Sequence, residues 1–116
     1  MKLPDYDQAT VAERKITEYL LSSSHPDGAS KARYFTKHGF SRASWRQLAD
    51  ALRTHAAQND VAEVLQTPRG TSYTVEGKLA APDGAQLSVR SVWFQDIGEP
   101  APHLVTAYPL GRRAHT

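Results

Sequence analysis

At Asn59-Asp60 the apolar residues change their spacing from every third or fourth position to every second. A helix returns to the same face after about 3.6 residues and a strand after two, so the two halves of the chain must form different elements. Before the change, Val11, Ala12, Ile16, Tyr19 and Leu20 recur at helical spacing. Thr10 and Glu13 read as a capping box opening a helix over about 11–22. Residues 28–38 carry Ala32 and Phe35 on one face and Lys31, Tyr34 and His38 on the next, with Gly39 as a helix stop. A third helix starts at Ser41 or Ser44 and runs to about Gln58, its apolar stripe formed by Trp45, Leu48, Ala49 and Leu52.

Beyond the change, four alternating stretches read as strands: 61–67, 71–81, 85–95 and 103–110. Tyr73, Val75 and Leu79 share one face of the second, and Arg90 shares a face with Ser88 and Val92 in the third. The connections PRG and PDG are too short for a crossover, so neighbouring strands must run antiparallel. The expected fold is α+β, with three N-terminal helices packed on one face of a four-stranded antiparallel meander. A chain of 116 residues fits one domain, 1–116, with its helical part at about 10–58 and its sheet at about 61–110.

The chain has no cysteine, which removes disulfides and thiolate chemistry. No apolar run approaches the ~20 residues that span a bilayer, so a membrane partner is not expected. MKLPDYDQAT carries no apolar signal region, which leaves room for a domain cut from a longer exported protein. Net charge is +2, and it is uneven: residues 1–58 hold 9 Lys/Arg against 6 Asp/Glu, while residues 59–116 hold 5 against 6. The basic half permits a phosphate-bearing partner without demanding one.

That basic half contains LLSSSHPDGASKARYF, where a Pro-Asp-Gly turn separates a histidine from a lysine. None of the five histidines sits at metal-ligand spacing, and no metal or cofactor is expected. Ser24, His25 and Asp27 are too close in sequence for a nucleophile–base–orienter relay. What remains is metal-free acid–base chemistry. His25 titrates near neutral pH, Lys31 stays cationic, and Gly28 lets backbone approach a ligand. If Pro26 opens the second helix, His25 lies at its positive end, which favours anions. Thr106 and Tyr108 lie two apart on the last strand and so face the same side. A plain turn and a cross-strand Thr/Tyr pair account for the same residues without function.

Two stretches go further. KITEYLLSSSHPDGASKARYFTKHGF resembles an uncharacterised bacterial domain with the pattern K-x-x-x-Y-L-L, then H-P-x-G-x-x-K-A-x-x-F, then G-F. Members of that kind occur as C-terminal modules of polymorphic toxins and in toxin–immunity gene pairs. LVTAYP resembles the last strand of the barnase–EndoU–colicin–RelE superfamily of metal-independent ribonucleases, whose helices-then-sheet order matches the order above. The resemblance implies an endoribonuclease toxin domain that cleaves RNA by 2′-OH transesterification. Its catalytic residues would be His25, Lys31, Thr106 and Tyr108, with Gly28, Arg33, Arg90 and Tyr73 binding substrate. The chain has no second histidine in a matching motif, which leaves Tyr108, His103 and Tyr73 open as the acid–base partner. RNA, tRNA included, is the implied substrate. A cognate immunity protein is the implied partner of a domain that is monomeric when free and acts in the cytoplasm, delivered as part of a larger effector. The alternative is a non-catalytic immunity- or adaptor-like module using the same basic face. A nucleotide-modifying transferase is a weaker third, because the sequence offers no dinucleotide pocket.

Overall fold

A computed structural model describes residues 1–22 and 29–110. The α+β architecture stands: the helices precede four strands, and the sheet runs β1-β2-β3-β4 with every pair antiparallel. After a short 3₁₀ turn at Tyr6–Gln8 come α1 (Glu13–Lys15), which runs straight into a π-helical turn (Ile16–Leu20), then α2 (Ala29–Lys37) and α3 (Trp45–Gln58). The strands are β1 (Val61–Thr67), β2 (Gly70–Ala80), β3 (Gln86–Asp96) and β4 (His103–Pro109).

The expected boundaries need correcting at the N-terminus. Thr10 does not cap a helix. Its carbonyl accepts from Leu104 N at 2.9 Å and its N–H donates to Pro102 O at 3.0 Å, forming a parallel bridge to His103 beside β4. Pairing with the edge strand keeps the chain extended through Ala12 (ψ 139°), so the helix begins later than the apolar spacing suggests. Its second half then widens: Leu21 N bonds Ile16 O, five residues back, at 2.8 Å. Ile16 and Leu20 are fully buried, whereas Tyr19 is only partly so.

Gly39 does stop α2, and for the expected reason. Its φ of +104° is one that side-chain-bearing residues avoid, and Phe40 N reaches back to Phe35 O at 3.2 Å. The two phenylalanine rings meet edge-on at 6.0 Å, completing the hydrophobic contact that accompanies such a stop. His38 then ties this corner to the β2–β3 turn, with its Nδ1 2.9 Å from Asp83 Oδ2.

The helices cover one sheet face. Val75, Leu79, Leu87, Val89 and Trp93 alternate into it and are buried with Leu48, Ala49 and Leu52 of α3. At β4 strict alternation fails. Trp93 pairs with Leu104 and Val92 with Thr106, so Val105 is the extra residue of a bulge. The bulge lets Leu104 and Ala107 both enter the core while Thr106 and Tyr108 stay on the opposite side.

His55 is the one titratable side chain among the described residues that lies in this core, 1 % exposed. Its Nε2 lies 3.0 Å from Val89 O and 3.2 Å from Gly77 O, two groups that only accept, so Nε2 carries the proton. Its Nδ1 then accepts from the Ser91 hydroxyl at 3.1 Å, and Ser91 Oγ accepts the Trp93 indole N–H at 2.9 Å. Every donor and acceptor in this buried chain is matched.

Candidate functional site

The sheet face away from the core is polar by register. Glu76 pairs with Arg90 and Arg90 with Tyr108; Thr74 pairs with Val92 and Val92 with Thr106. Arg90 is clamped from both sides: one guanidinium nitrogen is in close ion-pair contact with Glu76, and Nη1 donates to Tyr108 Oη at 3.2 Å. The Tyr108 bond, with help from Glu76, holds the guanidinium charged against its partial burial. Because Arg90 donates to Tyr108 Oη, the phenol keeps its own hydrogen for another acceptor. Arg90 Nε is buried and has no hydrogen-bond partner among the described residues.

Next to Tyr108 along β4, the helical layer reaches the same edge. Tyr19 Oη, from the π turn, lies 3.4 Å from Thr106 Oγ1. Two ammonium groups stand against its ring, Lys15 Nζ and Lys31 Nζ, each 5.3 Å from the centroid. Burial raises the Tyr19 pKa. The hydrogen bonds from Thr106 and Lys31 and the charges of Lys31 and Lys15 outweigh it, so the phenol ionises below its ordinary value of 10.0. A cleft of about 530 Å³ opens beside it, lined by Ala12, Arg14, Lys15, Glu18 and Tyr19. The assembly joins cations, a hydroxyl and two phenols, a set suited to binding a phosphate and moving protons next to it.

A family model described as a domain of unknown function, DUF6883, matches residues 2–111. The chain belongs to the DUF6883 family. No curated protein and no solved structure matches it.

Against this geometry the residues singled out by the DUF6883 chain's sequence divide clearly. Lys31 and Thr106 come together, at Tyr19. Tyr108 and Arg90 join them on the polar face. His25 and Gly28 lie outside the described residues. Arg33 is exposed, two residues or about 200° around α2 from Lys31, and so faces elsewhere. Tyr73 is on the opposite face of the sheet, packed against the hydrophobic core. His103 is engaged near the start of β4, its Nδ1 3.4 Å from Glu99. It sits about 10 Å along the strand from Thr106.

Tyr19 is the residue that sequence reasoning missed. Its spacing with Ile16 and Leu20 assigned it to the apolar stripe. The signal was a phenol in a stripe of aliphatics, four residues after Lys15, at the boundary where the helix widens. Asp96, Glu99 and His103 also bring potential ligand atoms within 4.8 Å of one another. Glu99 there accepts the Asp96 N–H at 2.9 Å and faces His103, so the group closes the β3–β4 loop by itself.

Proposed function

We propose that the chain is a metal-independent endoribonuclease domain. RNA carries its own nucleophile, the 2′-OH, so the protein has only to bind the phosphate, stabilise the dianionic phosphorane and move two protons. The observation that carries this reading is the meeting of Lys31, Thr106 and Tyr19 beside the Arg90-backed Tyr108. Lys31 neutralises charge on the phosphate oxygens, and Thr106 turns its one hydroxyl hydrogen from Tyr19 to them. Tyr108 stacks on a base or gives a proton to the leaving 5′-oxygen. The basic cleft lined by Arg14 and Lys15 suits the neighbouring phosphates of the strand. His25 and Gly28 belong to the reading through the motif they stand in. So do the toxin role, the cognate immunity partner and the cytoplasmic site of action.

The test is incubation of the purified protein with total RNA in EDTA. Cleavage by the native chain is expected, reduced on the order of a hundredfold or more in Lys31→Gln and in Thr106→Val when both variants remain folded. RNA left intact by the folded native protein rejects the reading. Intact RNA that is nonetheless retained by the protein favours the non-catalytic binding module.

A further inference from the structure

We infer that Tyr19 is the proton acceptor of this site, taking the proton from the attacking 2′-OH while Tyr108 gives its own to the leaving 5′-oxygen. The inference rests on the ribonuclease reading and gives both proton transfers to tyrosines, one of which the motif resemblance gives to His25.

Three features place Tyr19 in that role. First, position: its oxygen is 3.4 Å from Thr106 Oγ1, so when RNA binds and the one Thr106 hydroxyl hydrogen turns from the phenol to the phosphate, an adjacent 2′-OH is brought to the phenol, which Lys31 and Lys15 still face. Second, charge. Lys15 from its own segment and Lys31 from α2 both stand 5.3 Å from the ring, and Arg14 lines the same cleft. Among the described residues Glu18 is the single carboxylate in that lining, against Arg14 and Lys15, so the described charge there is net positive and favours phenolate. Third, backbone: Tyr19 lies in a π turn closed by the Leu21–Ile16 bond, a geometry that recurs at functional sites and here carries the phenol to β4 while Ile16 and Leu20 fill the core.

Atoms and electrons balance without another reactant. The Tyr19 phenolate takes the 2′-hydroxyl proton as the O2′–P bond forms. The P–O5′ bond breaks, its electron pair goes to O5′, and O5′ takes the phenolic proton of Tyr108. Tyr19 ends neutral and Tyr108 ends as phenolate, which Arg90 Nη1 at 3.2 Å is placed to stabilise. Proton exchange with water restores both.

Two measurements on the full chain test this. In the first, RNA cleavage is followed across pH for the native protein, Tyr19→Phe and Lys15→Gln. Tyr19→Phe is expected to lose on the order of a hundredfold or more in kcat/KM. Lys15→Gln is expected to move the rising limb of the profile to higher pH, a change that a purely structural tyrosine does not produce. In the second, tyrosine ionisation is followed by near-ultraviolet difference absorbance without substrate. One of the five tyrosines should ionise ahead of the rest, disappear in Tyr19→Phe and shift upward in Lys15→Gln. Cleavage that survives Tyr19→Phe with an unmoved limb overturns the inference and leaves the ribonuclease reading standing. Five tyrosines titrating together also overturn it. A native protein that cleaves no RNA overturns both.

Discussion

Acidification should weaken this fold through one side chain, His55. Burial holds its pKa below the ordinary 6.5, although the Val89 and Gly77 carbonyls pull the other way. The unfolded chain takes up the proton near the ordinary value and the native state only at lower pH, so stability is full above the ordinary value and is lost as pH falls from there toward the native pKa. The loss between pH 7.5 and 5.5 has a ceiling of about 1.4 kcal/mol, reached only by a histidine that binds no proton in the native state. Asp83 and Glu99 do not confuse this window. Backbone N–H groups, from Ala85 and Asp96 respectively, hold both carboxyls below their ordinary 3.8 and 4.5. The assay is urea unfolding of the native protein and His55→Gln at both pH values. His38 and His103 are common to the two proteins and cancel in the difference. The variant should be less stable at neutral pH by about 1–3 kcal/mol, because it breaks the matched set at Ser91 and Trp93. It should also lack the acid loss that His55 gives the native protein. An equal acid loss in both proteins would refute the assignment of that sensitivity to His55.

Gly77→Ala should destabilise by about 1–2 kcal/mol, since a Cβ there would stand 2.1 Å from Asn59 Oδ1 and displace the side chain that bonds His55 O at 2.9 Å. In an Asn59→Ala background that added cost should vanish, which a double-mutant cycle by chemical denaturation reads directly. Gly39→Ala should cost about 1–2 kcal/mol in thermal unfolding, from its φ of +104° and a Pro82 Cβ only 3.0 Å away. Tyr73→Phe and Arg33→Gln should leave RNA cleavage unchanged, because one packs against the core and the other points away from Lys31.

Much of the fold was legible because it is written in periodicity. Leu48, Ala49 and Leu52 in α3, and Val75, Leu79, Leu87 and Val89 in the sheet, sit where a 3.6 or a 2 repeat puts them. The failures are places where backbone bonding to distant residues overrides a local pattern. Thr10 has the residue type and spacing of a cap, yet its backbone pairs beside β4. The Val105 bulge breaks an alternation that the residues around it obey. The site was legible in part. Lys31, Thr106, Tyr108 and Arg90 were chosen for their chemistry, and the fold brings them to one edge. Tyr19 was hidden because a helical repeat assigns a phenol at that position to the core, and only the π turn redirects it. Tyr73 shows the reverse error: a strand residue chosen for its hydroxyl, although its own alternation with Val75 had already placed it on the buried face.

Product-end analysis of a matched pair of oligonucleotides shows whether the 2′-hydroxyl of RNA is the nucleophile. One strand is all-ribose; the other carries a single 2′-deoxy position at the mapped cleavage site. The purified protein, in EDTA, is expected to cut the first into a 2′,3′-cyclic phosphate and a 5′-hydroxyl and to leave the second uncut at that position. Cleavage at the deoxy position, or products ending in 3′-hydroxyl and 5′-phosphate, would contradict it.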